Sequence, residues 1–305
     1  MAEPTLPSDP LWPRAGQWLA PPHAIDRSVA DVGMIGVPAY RTSITPTGAH
    51  ATPAAVRDAL LRYSTYSASH GVDVANLTAF DLGDVEEPDG SDGEARVREA
   101  VAKAAARCRF LVAIGGDNSL TFSVMRGLFA EQLSACGLIT IDAHHDLRDG
   151  ASNGSPVRRL LEEGLPGTSV VQIGIADFSN SAAYAERARE AGFTIVPRSA
   201  LRGADLQAVA TAALEIAGAG GRPVFVDVDV DVCDRAAVPG CPSAAPGGIS
   251  ADELRQLVYA LALDPRVAGI DVAEIDATID APDGRTVRLA ALLVLEAAAA
   301  VASRG

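Results

Sequence analysis

The segment Val224-Phe225-Val226-Asp227-Val228-Asp229-Val230-Asp231-Val232 sets three aspartates in alternation with valines. In an extended chain successive side chains point to opposite faces. Asp227, Asp229 and Asp231 therefore share one face, and the valines fill the other. A Val/Phe run of this kind marks a strand covered on both faces, as in a parallel sheet. Ionised carboxylates gather at the end of such a strand only where a cation offsets their burial and repulsion. A second cluster has the same spacing: Asp142, His144 and Asp146 alternate directly after the apolar run Gly137–Ile141. The bland alternative for either cluster alone is a helix cap or a solvated acidic loop. Both follow a hydrophobic strand, and open α/β sheets place their ligands beyond strand carboxyl ends. Together they predict a metal site. Oxygen-rich ligation with one or two imidazoles suits manganese or magnesium better than zinc or copper.

Apolar runs recur at 31–38, 77–82, 110–114, 138–142, 170–175, 193–196, 223–231 and 267–275, about eight candidate strands in all. Helix-like segments at 53–61, 93–106, 119–133, 155–163, 182–191, 206–217 and 251–262 separate most of them. This alternation predicts a mostly parallel sheet with helices on both faces. There is no internal repeat and no second composition regime. One domain is expected over residues 31–305, preceded by a Pro- and Trp-rich arm, residues 1–30, lying over the surface. Three long connections, 39–52, 148–155 and 233–250, are expected to build the site. The 305 residues, 48% of them hydrophobic, suffice for one large core.

The net charge of −14 and the lack of a Lys/Arg cluster argue against a nucleic-acid partner and mildly favour cationic substrates. Cys108, Cys136, Cys233 and Cys241 lack metal-site spacing and read as thiols of a reducing cytoplasm. The N-terminus carries no apolar leader. The apolar stretch around Ala297–Ala300 is interrupted by Glu296 and followed by Arg304. It reads as a C-terminal helix too short to span a bilayer, so no membrane partner is expected.

Four motifs, in order, resemble the ureohydrolase family of arginases, agmatinases, guanidinobutyrases and formiminoglutamases. They are Gly115-Gly116-Asp117-Asn118-Ser119, Asp142-Ala143-His144-His145-Asp146, Asp229-Val230-Asp231-Val232-Cys233-Asp234, and Gly269-Ile270-Asp271-Val272-Ala273-Glu274. The resemblance implies a three-layer α/β/α sandwich around a mostly parallel eight-stranded sheet. It also implies a pair of manganese ions in each subunit, sharing a bridging hydroxide, and a trimeric or hexameric assembly. Asp142 and Asp229 would bridge the ions. Asp146 would complete one site, and His144 and Asp231 the other. Glu274 would receive the cationic guanidinium or amidinium of a small substrate; an ordinary salt bridge is its plainer role. The chemistry is coherent. Two metals acidify a shared water at neutral pH. A carboxylate pairs with a flat N–C–N unit and orients it.

Two departures narrow the reading. Where the family has a metal-binding histidine this chain has Asn118, a weaker ligand. Asn118 binds weakly, the first site stays vacant, or a neighbour takes over. Asp227 shares the ligand face, but lies about 6–7 Å further back along the strand than Asp229. A supporting or capping role is the better reading for it. The family's His-Gly after the second motif is also missing. Residues 152–158, Ser-Asn-Gly-Ser-Pro-Val-Arg, together with Asp146-Leu147-Arg148, are closer to formiminoglutamases. Asn153 and Ser155 would meet the substrate carboxylates. Arg148, expected to be buried, would pair with them, as would Arg158 if it does not lie on a solvated helix face. The expected activity is hydrolysis of N-formimino-L-glutamate to formamide and L-glutamate, as in histidine breakdown. An agmatine or guanidino-acid hydrolase releasing urea, or a non-catalytic member with a degraded metal site, are the alternatives.

Overall fold

The computed structural model describes residues 9–24 and 29–304. Its eight-stranded sheet comprises β1 (Ala30–Val37), β4 (Ala79–Asp84), β5 (Cys108–Gly115), β6 (Gly137–Ile141), β7 (Val170–Ile175), β8 (Thr194–Pro197), β9 (Val224–Asp229) and β10 (Val267–Ala273). A separate hairpin pairs β2 (Tyr66–Ser67) with β3 (Val72–Asp73). The sheet order is β4-β1-β5-β10-β9-β6-β7-β8, with every pair parallel. The inner strands β6, β7 and β9 are buried at every residue, as their continuous apolar runs require. The edge strands β4 and β8 carry most of the partly exposed positions.

Among the described residues, eight α-helices divide into two layers. On one face α1 (Thr52–Leu60), α6 (Leu206–Ala217), α7 (Ala251–Ala262) and α8 (Arg285–Ser303) bury Val56, Leu214, Leu257 and Leu293 against Val226 and Val228. On the other, α2 (Gly90–Ala105), α3 (Leu120–Phe129), α4 (Pro156–Glu162) and α5 (Ala182–Ala191) bury Val97, Met125, Val157 and Ala188 with Phe225 and Leu138. The expected three-layer α/β/α sandwich is observed. The period-two rule assigns the β9 faces. Its even-numbered valines enter the first core, and Asp227 and Asp229 follow Phe225 onto the second.

Three expectations are corrected. β9 stops at Asp229, and Asp231 lies in a 3-10 turn, Val230–Val232. The Asp229 carboxylate accepts the Asp231 amide at 2.7 Å, which bends the chain out of the strand. β10 likewise stops at Ala273, and Glu274 turns away with φ of 61°. Finally, α8 has 19 residues and is long and apolar enough to cross a membrane, against the expectation from its last turns. More than half of its apolar window is buried, and it packs against α7 and α1 as a core helix. Within the expected arm, residues 1–8 and 25–28 lie outside the described residues, as does the expectation about a leader. The described part docks firmly: Ala15 is fully buried and the Trp18 indole donates to the Leu77 carbonyl at 3.0 Å.

Candidate metal centre

Four neighbouring strands, β5, β10, β9 and β6, direct their carboxyl ends to one place. The loop after β5 is held tightly there. A side chain at Gly116 would meet the Ala39 carbonyl at 2.0 Å, and the Gly116 carbonyl accepts the Glu274 amide at 2.9 Å. Asp146 and Glu274 both occupy left-handed backbone, at φ of 54° and 61°. Non-glycine residues hold that conformation only where their surroundings impose it, which happens often at functional sites.

The carboxylates converge into two groups whose donor atoms lie within 4.8 Å of one another: Asp142, His144 and Asp231, and Asp142, Asp146 and Asp227. Asp142 belongs to both, the position a bridging ligand takes. His144 Nδ1 stands 2.7 Å from Asp231 Oδ2 and 3.6 Å from Asp142 Oδ1. Asp229 is in neither group; it lines the cavity above them. Asn118 contributes through hydrogen bonds. Its Nδ2 donates to Asp146 Oδ2 at 2.6 Å, and its backbone amide donates to Glu274 Oε1 at 2.9 Å.

Burial and mutual repulsion dominate the electrostatics. Burial, reinforced by Asp231, pushes Asp142 up to about 6. Burial and like charges hold Asp146, Asp227 and Asp229 well above the usual carboxylate range. Burial opposes a charge on His144, but Asp231 and Asp142 outweigh it and raise the imidazole to about 12. Glu274 is pushed up to about 7 by burial and by the charge of Asp117.

A cavity of about 340 Å³ opens over these groups, lined by Asp229, Asp231, Glu274, Arg148, Asn153 and Asn180 among others. Asn153 Nδ2 donates to Glu274 Oε1 at 2.8 Å, and its Oδ1 accepts the Ile44 amide at 3.1 Å. Arg148 is exposed at the mouth, not buried as expected, with its side chain lying over Gly154. Its guanidinium makes no ion pair or hydrogen bond among the described residues. Two expected substrate contacts are placed elsewhere. Arg158 spends its guanidinium on the carbonyls of Arg148 and Gly150 and on Glu162. The Ser155 hydroxyl is buried and bonded to Ser152. Both brace the 148–155 loop because the chain must satisfy the backbone groups of a tight turn there.

Sequence reasoning missed Ser243, which donates to Glu274 Oε2 at 3.3 Å, although its loop was expected at the site. It also missed Asn180, which accepts the His145 amide and donates to the Ala143 carbonyl. Asn180 follows β7 with no motif to mark it.

The arginase-family profile matches residues 30–300. The chain belongs to the arginase family. Formimidoylglutamase of Halalkalibacterium halodurans is 36% identical over 272 residues, 86% of this chain and 85% of that protein. The solved structure of formimidoylglutamase from Bacillus subtilis superposes with a TM-score of 0.91 at 31% identity, covering 100% of this chain and 97% of that one. A structure of Trypanosoma cruzi formiminoglutamase with Mn2+ gives 0.86 at 25% identity, covering 96% and 100%.

The donors of this arginase-family chain fit a divalent cation on their own geometry. No N–H or hydroxyl donates to Asp142 Oδ2 or to either Asp227 oxygen, and Asp231 Oδ2 has only the poorly aligned contact with His144. Buried anionic oxygens left this way are costly unless an ion takes them up. Asp142, His144 and Asp231 would hold one ion from an oxygen-rich set that suits manganese.

Proposed function

We propose that this chain is a manganese-dependent formimidoylglutamase, which hydrolyses N-formimino-L-glutamate to formamide and L-glutamate. The observation that carries the reading is the polarity of the cavity. A buried carboxylate, Glu274, lies at its inner end and the unpartnered Arg148 at its mouth. The substrate has the opposite polarity, with an amidinium at one end and two carboxylates at the other. Manganese, when bound, supplies an acidified water that can attack at neutral pH.

The chain supplies the rest. Glu274 pairs with the amidinium and presents its carbon. Asn153, the Asn118 amide and Ser243 fix the Glu274 carboxylate so that little rotamer freedom is lost on binding. A cationic substrate favours the ionised form of Glu274, against the burial that raises it. Water adds to the amidine carbon, the bond to the glutamate nitrogen breaks, and that nitrogen leaves as an amine after taking a proton. Cytoplasmic location belongs to this proposal and agrees with four buried free thiols. So does assembly into a trimer or hexamer.

The test is a substrate panel with Mn2+: N-formimino-L-glutamate, a guanidino acid and agmatine. The guanidino acid has the same end charges and is the necessary control. N-formimino-L-glutamate is expected to be cleaved fastest, and agmatine, whose amine meets Arg148, slowest. Because Arg148 is exposed, its contribution is modest. Arg148→Ala is expected to raise KM by about fivefold, the equivalent of an exposed ion pair, with kcat nearly unchanged. Agmatine turned over as fast as N-formimino-L-glutamate would overturn the reading.

A further inference from the structure

We propose that Asp227 is a direct ligand of the more buried metal ion, and that Asn118 positions Asp146 instead of binding metal. The proposal rests on metal binding and is independent of the substrate assigned above. Asp142, Asp146 and Asp227 form the fully buried group, each offering an oxygen within 4.8 Å of the others. Asp227 is 0% exposed, and no N–H or hydroxyl donates to either of its oxygens; its side-chain neighbour is the carboxyl of Asp271. A carboxyl in that state keeps a proton or takes up a cation, and when metal is bound Asp227 takes the cation. Strand rise alone sets Asp227 back from Asp229. The turn from Asp142 to Asp146, with Asp146 in left-handed backbone, brings the Asp146 carboxylate back over the sheet to meet it.

Asn118 is committed elsewhere. Its amide nitrogen donates to Asp146, and its single side-chain oxygen accepts from the Thr121 hydroxyl at 3.0 Å. Rotating the amide to free the oxygen would set it against the Asp146 carboxylate. The imidazole that the ureohydrolase resemblance leads one to expect at position 118 is thus replaced by a carboxylate on β9, two strands away from β5. The exchange adds a negative charge and makes this site all-oxygen, which favours manganese or magnesium over zinc.

One rival explanation sits beside it. Asp271 pairs in register with Asp227 across β9 and β10, and the two carboxyls share a hydrogen bond in the metal-free chain. Asp271 has its own donor, the Val228 amide at 3.3 Å, which anchors it independently.

The experiment reads metal, not turnover. Protein loaded with Mn2+ and desalted is assayed for manganese per chain and by electron paramagnetic resonance for a spin-coupled pair. Asp227→Ser is expected to lose one ion per chain and to convert the coupled spectrum to that of isolated Mn2+. Asp271→Asn is expected to keep both ions. Metal-free Asp227→Ser is expected to melt no lower than the metal-free parent, since it removes a buried acid from a crowded acidic cluster. Asp227→Ser with the parent's metal content and spectrum overturns the proposal. So does equal loss in Asp271→Asn, or a lower melting point of metal-free Asp227→Ser, either of which makes the acid pair structural.

Discussion

Glu274 gathers the site's competing forces in one side chain. Burial favours its neutral form, while Asn153 and the Asn118 amide favour the charged form that the proposed amidinium pairing needs. Asn153 also accepts the Ile44 amide, so one residue ties the carboxylate to the 39–52 connection. Asn153→Ala removes a donor to the ionised state, and Glu274 rises further. The acid limb of kcat/KM is therefore expected to move to higher pH, with activity at pH 8 less affected than at pH 6. A pH–rate profile with an unmoved acid limb would contradict this role. Asn153 was expected at the site from the sequence, but not as a partner of Glu274. The two are 121 positions apart, and only folding makes them neighbours. The same holds for Arg158 and Ser155: their side-chain types suited an anionic substrate, yet local backbone groups claimed them first.

At the level of elements, periodicity was a reliable guide where one covering face or two decide the pattern. The continuous runs of β6, β7 and β9 could be read directly, as could the helices between them. The ends were harder, because a capping side chain sets them. Asp229 bends the chain after β9, and a positive φ at Ala130 ends α3 before a 3-10 stretch, where one helix to residue 133 was expected. α7 begins at a capping box: the Ser250 hydroxyl accepts the Glu253 amide at 3.1 Å, and Glu253 accepts the Ser250 amide at 2.7 Å. Ser250→Ala is expected to lower the unfolding free energy by about 1 kcal/mol while leaving manganese content unchanged. Denaturant unfolding with metal analysis on the same sample checks both. Loss of metal would show that α7 and the site are coupled more closely than their separation in the fold suggests.

Across the whole molecule, the buried acidic cluster makes stability depend on pH and metal together. Asp142 rises to about 6, Asp271 to about 7 and Glu274 to about 7, mainly through burial. Raised acids bind their protons more tightly in the folded state. Their contribution is present at low pH and is lost as pH climbs through these values. His144, held near 12, has the same sign: its contribution is complete below its ordinary value and declines above it. Asp231 is lowered, so its contribution is lost only as pH falls through its carboxylate range. The metal-free protein is therefore expected to melt lower at pH 8 than at pH 6. Mn2+ should raise the melting temperature more at pH 8, where fewer protons must be displaced. Calorimetry at both pH values checks this, and a metal-free protein more stable at pH 8 would refute it. The sequence alone determined the layered α/β fold and the strands that carry the acidic clusters, because hydrophobic period and strand-end position are local properties of the chain. Only the tertiary structure decided which carboxylates converge, which of the two arginines is free and what Asn118 holds. Those outcomes depend on donors and acceptors far apart in sequence, each settled by the nearest partner that folding supplies.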